Sequence, residues 1–479
     1  MDAIRHFAGY GLETAKWVVI LFFMSQNLFS VLLLVLSAFG VFQFVRASRH
    51  EILSVLSLSE ILPPISVLVP AYNESKTIVD SVHSILSLNY PRFEVVVIND
   101  GSKDSTLDMM KEHFQLYPII PLYDETIETK PVRSLYRSKK YSNLLMIDKE
   151  NGGKSDSLNS GINLSSSPLI CAVDADTVVD EHALLHMVRP YLLDPGRVAG
   201  VGGTIRVANG CVVEGGRMAE IGLSKSWFVR VQVIEYIRAF LFGRLGWNSL
   251  GGPLIISGAF GLFRKDLVVR AGGYRTDTVG EDMDLALSLH ELDGPRDSRY
   301  AIVFVPDTVC WTQVPEDFKT LRRQRERWQR GLSESLTHHR RMMFSPKYGF
   351  TGVVGIPFAF FGEMLSPLME TLGYISIAVG YAIGRVDLQF TFLFFLLAWG
   401  FGIVLSDAAI LLEEVSYHRY SFSQMVSLFV ATVLEGIGYR QINLWWRLSG
   451  LIQFLTGKKG WGGMQRQVFS PVAGGPSGT

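Results

Sequence analysis

LICAVDAD, residues 169–176, is the stretch on which the fold turns. A short apolar run that ends in acids reads as a strand buried on both faces, with its carboxyl end at a polar edge. Alternation along it predicts that Asp174 and Asp176 point to the same side and can share a site. Working outward, ISVLVP (65–70), VVVIND (95–100) and LLMID (144–148) have the same form. Helical patterns separate them at 75–88, 102–115 and 154–164. Strand and helix in alternation predict a doubly wound α/β sheet of parallel strands. In such sheets ligands bind beyond the carboxyl ends of the strands. Here those ends carry Asn73, Glu74, Asp100, Asp174 and Asp176. A sugar nucleotide with a metal on its diphosphate could use all of them.

The rest of the chain is more apolar than a soluble domain. Of 479 residues, 48% are hydrophobic and 19% charged, against about 25% charged in ordinary soluble domains, and mean hydropathy is +0.23. Lys plus Arg and Asp plus Glu are both 45, so there is no basic surplus and nucleic acid is excluded as a partner. Three scattered cysteines, Cys171, Cys211 and Cys310, form no disulfide framework and no zinc spacing. Residues 17–45 carry no charge and are long enough to span a bilayer. Arg46, Arg49 and His50 follow, which predicts a cytoplasmic exit. Three more apolar stretches lie at 351–383, 389–413 and 425–455, with Glu363, Glu370, Glu435 and Arg440 inside them. Such charges either line a polar conduit or reach the interface from helix ends. Three later spans would leave the C-terminus outside, yet Lys458, Lys459 and Arg466 favour inside. One stretch is therefore expected to be interfacial, re-entrant or split.

Four motifs in the middle of the chain carry chemistry. NGGKSDSLNSGI (151–162) opens on two glycines that let backbone approach a ligand, and Lys154 offers a cation to phosphate or a base carbonyl. The plain alternative is a turn before a helix. Asp174 and Asp176 suit Mg²⁺ or Mn²⁺ shared with ligand phosphates, or are solvated turn acids. Glu281 and Asp282 open an amphipathic helix; acids there suit the helix dipole, and one could serve as a general base. In LRRQRERWQRG (321–331), Gln324, Arg327 and Trp328 fall on one helical face. They read as a diphosphate clamp with an aromatic platform, and other arginines of the same helix as contacts to anionic lipid.

Taken in order, VPAYNE (69–74), INDGSKDST (98–106), NGGKSDSLNSGI, DAD, SGAF (257–260), GED (280–282) and QRERW resemble the family 2 glycosyltransferases. The resemblance covers about 65–335 and is to the membrane-embedded processive members, the hyaluronan, chitin, poly-N-acetylglucosamine and cellulose synthases. It implies a GT-A-like α/β doubly wound cytoplasmic domain inserted between transmembrane helices. The implied organisation is a transmembrane helix in 1–50, a glycosyltransferase domain in 51–320 and interfacial helices with QRERW in 321–350. Channel-forming helices would follow in 351–457, then a flexible tail in 458–479.

By the same resemblance Ala71, Tyr72, Glu74 and Asp100 would hold uridine beside Lys154. Asp174 would touch the nucleotide and Asp176 the metal, Mg²⁺ or Mn²⁺. Asp282 would be the catalytic base, with Glu281 next to it. Ser257 and Gly258 would form the acceptor floor. Gln324, Arg325, Arg327 and Trp328 would line the diphosphate and acceptor end. Gly280 departs from the residues that precede the acidic pair in hyaluronan and cellulose synthases. The implied partners are a UDP-sugar donor (UDP-N-acetylglucosamine or UDP-glucose), a growing polysaccharide, membrane lipid and accessory export proteins. The implied activity is processive, inverting elongation of a β-linked polymer at the plasma or inner membrane. A transferase adding one sugar to a lipid would differ in product length, and a nucleotide-sensing transporter would release no UDP.

Overall fold

The computed structural model describes residues 2–48, 62–120, 123–214, 216–293, 299–417 and 419–458. Arg49, His50 and the tail beyond Lys458 lie outside the described residues, so the basic flank and most of 458–479 carry no structural statement.

The middle of the chain contains β1 (Ile65–Ala71), β2 (Phe93–Asn99), β3 (Leu116–Ile119), β4 (Val132–Ser138), β5 (Leu144–Lys149) and β6 (Leu169–Val173). It continues with β7 (Thr177–Val179), β8 (Val198–Val207), the small hairpin β9 (Val212–Glu214) and β10 (Arg217–Glu220), then β11 (Phe260–Arg264) and β12 (Ala301–Thr312). Ten of these form one sheet in the order β3-β4-β5-β2-β1-β6-β11-β8-β12-β7. The four expected strands are its parallel centre, β5-β2-β1-β6, with Val67 opposite both Val95 and Cys171. Their side chains divide by alternation: Val67, Val95, Val97 and Cys171 pack into one apolar cluster, and Leu68, Val96, Ile98 and Ile170 into the other. Helices Ile78–Leu86, Thr106–His113 and Lys154–Leu164 supply the expected crossovers.

Beyond β6 the sheet is mixed rather than wholly parallel. β11 runs antiparallel to both β6 and β8, and β12 runs parallel to β8 but antiparallel to β7. The acids of DAD also differ from expectation. The strand stops at Val173, so Asp174 and Asp176 sit on a turn before β7 and strand alternation does not orient them.

Among the described residues, two helical segments are long and apolar enough to cross a membrane, Gly11–Gln43 and Leu388–Tyr417. Thr351–Met364 with Ser366–Ala382, bent by 42°, and Phe422–Glu435 with Tyr439–Leu455, bent by 60°, make up to four. The chain is a membrane protein. Helix Tyr439–Leu455 runs beside helix Phe318–His338, with Gln453 and Ser449 donating to Glu326 at 2.8 and 2.9 Å. The Lys458 carbonyl then accepts from Arg330 at 3.3 Å, so the last described residue lies against the helix that bears QRERW. Both 351–383 and 425–455 thus contain a bend, the sharper one in 425–455.

Residues 227–248 fall inside the expected soluble domain but pack against membrane helices. Helix Trp227–Ile237 continues through a widened turn, Arg238–Arg244, into Leu245–Asn248. Ser37 donates to the Leu241 carbonyl, and Arg238 binds Glu435 at 2.7 Å. A Cβ on Gly246 would lie 2.7 Å from the Leu33 carbonyl oxygen, so glycine permits that close crossing.

Candidate active site

The residues expected to hold the nucleotide gather around Asp100, which follows β2 and is buried. Its Oδ1 accepts from Lys149 Nζ at 3.0 Å and from the Gly152 N–H at 2.9 Å. Its Oδ2 accepts from Asn151 Nδ2 at 3.0 Å and from the Gly153 N–H at 2.8 Å. All four donors come from the last residue of β5 and the short loop after it. Asp100 therefore fixes the glycine loop and the start of the helix that carries Lys154. Gly153 has φ +89°, a conformation that favours glycine, and a Cβ on Gly152 would fall 2.4 Å from Asp156 Oδ1. Lys149, fully buried between Asp100 and Asp156 (2.5 Å), was not singled out by the sequence reading; a cation closing an apolar strand was the available signal.

Ala71 ends β1 and is buried, whereas the Tyr72 ring is exposed. The Glu74 N–H donates to Thr106 Oγ1 at 2.9 Å, and its carboxylate accepts from Thr77 Oγ1 at 3.1 Å. These contacts tie the first and second strand-to-helix turns together.

The reacting side converges on Lys154. Its Nζ lies 2.6 Å from Asp174 Oδ1, 3.6 Å from Glu281 Oε1 and 3.2 Å from the Gly258 carbonyl. The Gly258 N–H donates to Asp282 Oδ2 at 3.2 Å. A Cβ on Gly258 would meet Lys154 Nζ at 2.8 Å, which explains the small residue. Lys154, Ser257, Gly258, Glu281 and Asp282 line one cavity. Three motifs far apart in sequence are therefore one site. Burial pulls the Lys154 ammonium down, but Asp174 and Glu281 more than reverse this and leave it above its ordinary value. Burial pushes the Glu281 carboxyl up; Lys154 opposes that and Asp282 adds to it. Glu281 is buried against its cation, while Asp282 is partly open to the cavity.

Helix Phe318–His338 packs against the start of the helix that carries the acidic pair. It is capped by Asp317, whose side chain accepts from the Thr320 N–H at 2.9 Å. Gln324 is buried, Trp328 is 44% exposed, and the Arg327 charge acts on Glu281. Arg325 turns elsewhere: it pairs with Glu235 of helix Trp227–Ile237 and lies 4.4 Å from the Trp328 ring centre. It links the motif to the membrane-facing helices and supports the tryptophan from behind. Gly280 and Gly331 touch where the acidic pair meets this helix. A Cβ on Gly280 would lie 2.8 Å from the Gly331 carbonyl oxygen, and one on Gly331 would lie 2.9 Å from Gly280 Cα. Ser335 Oγ donates to the Gly280 carbonyl at 3.2 Å, and Glu334 accepts from Thr278 Oγ1 and the Val279 N–H, both at 2.9 Å. Sequence reading noted Gly280 only as a departure; its reason is this contact with Gly331.

The residues fit a divalent cation. Asp174 and Asp176 offer hard oxygen donors on one turn at the carboxyl edge of β6, and both are partly exposed. A second group, Asp284, His338 and His339, has ligand atoms within 4.8 Å of one another. There Arg275 faces two of the three ligands, His338 at 2.6 Å and Asp284 at 3.9 Å, and His339 is shared with Glu291, so the three are held by other partners.

Comparison with known proteins agrees with this geometry. The model of glycosyl transferase family 2 matches residues 66–268, and that of glycosyl transferase family group 2 matches residues 169–434, more than half of the chain. The chain belongs to the family 2 glycosyltransferases. It is 32% identical over 290 residues to the poly-beta-1,6-N-acetyl-D-glucosamine synthase of Staphylococcus epidermidis, covering 60% of this chain and 59% of that one. It is 31% identical over 297 residues to the synthase of the same name from Staphylococcus aureus (strain COL), covering 62% and 61%. The chain thus spans about three fifths of these relatives. Among solved structures, the mannosyltransferase PcManGT from Pyrobaculum calidifontis, in complex with GDP-Man and Mn²⁺, is 18% identical with a TM-score of 0.49. That comparison covers 87% of this chain and 99% of the other.

Proposed function

We propose that the chain elongates a β-linked polymer of N-acetylglucosamine from UDP-N-acetylglucosamine, processively and with inversion, and passes it across the membrane through its own helices. The observation that carries this reading is the meeting of Lys154, Gly258 and Asp282 around one cavity, with Asp174 paired to Lys154 beside it and the helix that bears QRERW in contact at Gly331 with Gly280, the residue before the acidic pair. The names of the staphylococcal relatives support the choice of sugar.

In this reading Asp282 takes the proton from the acceptor hydroxyl as that oxygen attacks the anomeric carbon. Both acids line the cavity, and Asp282 is the less buried of the two; Glu281 is buried and faces Lys154. Attack opposite the leaving diphosphate inverts the anomeric centre, so an α-linked donor gives a β-linked product. Asp176 with Asp174 would hold Mg²⁺ or Mn²⁺, which when bound neutralises charge on the diphosphate. Arg327 adds a fixed cation from the motif helix, and Lys154 orients Asp174. Tyr72 offers its ring to the uracil, and Trp328 offers its exposed face to the acceptor sugar. The catalytic domain faces the cytoplasm, with membrane lipid around the helices and accessory export proteins as further partners.

The test is UDP release and product length from purified protein in detergent, given UDP-N-acetylglucosamine, UDP-glucose and other UDP-sugars, with and without EDTA. Long polymer from UDP-N-acetylglucosamine alone, abolished by EDTA, supports the reading. A single added sugar, or donor binding without UDP release, overturns it.

A further inference from the structure

Behind the acidic pair, on the side away from the cavity, His339 is buried between two carboxylates of the same helix. Its Nε2 lies 3.3 Å from Asp284 Oδ1 and its Nδ1 lies 3.0 Å from Glu291 Oε1. His339 and Asp284 are each 2% exposed. Nδ1 hydrogen-bonds Glu291, while Nε2 and Asp284 Oδ1 stand at ion-pair distance without a hydrogen bond between them; a buried carboxylate at each nitrogen favours the doubly protonated ring. Asp284 and Glu291 belong to helix Glu281–Glu291, which begins with the acidic pair. His339 closes helix Phe318–His338, its N–H donating to the Ser335 carbonyl at 3.0 Å. The two helices touch at Gly280 and Gly331, and His339 is the charged contact farther along the same seam.

We propose that His339 is a positioning residue for glycosyl transfer: bridging Asp284 and Glu291, it locks the helix that carries Glu281 and Asp282 onto the helix that carries Gln324, Arg327 and Trp328. This rests on the reading of that site as the transfer centre. The groups around the ring are few. Helix Glu281–Glu291 presents Asp284, Glu291 and His290, whose Nε2 is held 3.1 Å from the Pro253 carbonyl. The end of the motif helix and the turn after it present His338 and Arg341. The segment before the acidic pair presents Arg275, 3.9 Å from Asp284, and Asp277, bound to Arg275 at 2.6 Å.

Burial pulls the His339 imidazolium down, but Asp284 and Glu291 outweigh it and raise the ring to about 9. The sign follows: the bridge is complete below the ordinary histidine value and is lost as pH rises through about 9. Its loss leaves Asp284 buried opposite a neutral ring and frees the far end of the catalytic helix. Three ligand atoms also come close enough for a metal ion here, but Arg275 already places a positive charge against His338 and Asp284.

The experiment measures UDP release by the full chain in detergent across about pH 6 to 10 for the unaltered enzyme, His339→Gln and His339→Arg. In His339→Gln, kcat should fall roughly tenfold or more while KM for the UDP-sugar stays within about twofold, because the helix shifts and the nucleotide loop does not. In the unaltered enzyme kcat should fall as pH passes about 9. His339→Arg keeps a cation at every pH and should restore most of kcat while removing that alkaline fall. Unchanged kcat in His339→Gln overturns the proposal, as does an unmoved alkaline fall in His339→Arg. So does loss of kcat and KM together in both variants, or a stoichiometric metal ion bound by the enzyme and lost in His339→Gln. No UDP release from any UDP-sugar by the unaltered enzyme would instead defeat the reading of the site.

Discussion

Replacing Gly331 by alanine adds one carbon at the contact between the two catalytic helices, and its effect can be worked from the distances. The new Cβ would lie 2.9 Å from Gly280 Cα and 3.0 Å from the Gly280 nitrogen. Carbon–carbon contacts are comfortable at about 3.5–4.0 Å, so the helices must part by roughly 0.6–1.1 Å. Both partners are backbone, so no side chain can rotate to absorb the strain. Overpacking of this kind costs about 1–3 kcal/mol of stability, which a protein of this size tolerates. The kinetic cost is larger in proportion. A reacting group displaced by about 1 Å can lose on the order of 10²-fold in rate, and Asp282 sits two residues beyond the contact. The nucleotide loop hangs from Asp100 on a different element and should be unaffected. Gly331→Ala should therefore lose about 10²-fold in kcat for UDP release with UDP affinity unchanged, checked by steady-state kinetics and UDP titration. A folded Gly331→Ala enzyme with ordinary turnover would refute the claim that this contact sets the position of the base.

Asp282→Asn should keep UDP-sugar binding and lower turnover by ~10²–10⁴; near-normal polymer would shift the role of base to Glu281. Trp328→Ala should stop elongation, read as product length, while slow donor hydrolysis by water persists, because the proposed role of the exposed ring is toward the acceptor and not the nucleotide. The three cysteines are buried, so sidedness needs new thiols. A cysteine at exposed Lys103 should resist a membrane-impermeant reagent in intact cells, and one at exposed Arg385 should react; the opposite pattern would reverse the orientation.

How much of this was legible depended on the kind of signal. The central strands were plain because β1, β2, β5 and β6 are each a continuous apolar run ending at a polar edge. β8 was hidden because Gly200, Gly202 and Gly203 interrupt its pattern. A Cβ at Gly203 would meet Val309 at 2.5 Å, so close packing against β12 demanded the residues that mask the strand. The segment 227–248 was missed because arginines 230, 238 and 244 recur in an apolar stretch; Arg230 and Arg238 answer Ser427 and Glu435 of a membrane helix. Motif residues were found by type and order. Their partners were not: Lys149, Gly331 and His339 act through contacts set only in three dimensions.

The charges inside the apolar stretches take on meaning from the same seam. Glu370 meets Arg440 at 2.7 Å, and Arg447 reaches the Glu363 carbonyl at 2.6 Å and Gln329 Oε1 at 2.9 Å. Gln329 lies one residue past Trp328, and its amide donates to the Met364 carbonyl at 2.9 Å. Glu326, between Arg325 and Arg327, is held by Arg322 on its own helix and by Ser449 and Gln453 on the last helix. The motif helix thus presents one face to the reacting centre and ties the other, through polar contacts, to segments within the apolar stretches. Polar groups this far from water are costly unless paired, and here each pairing spends its energy on joining the motif helix to the membrane part. An ordinary apolar interface would hold the two parts together but would leave their register free to slide. Directional hydrogen bonds fix that register, and with it the position of Arg327 and Trp328 relative to the helices through which a product would leave.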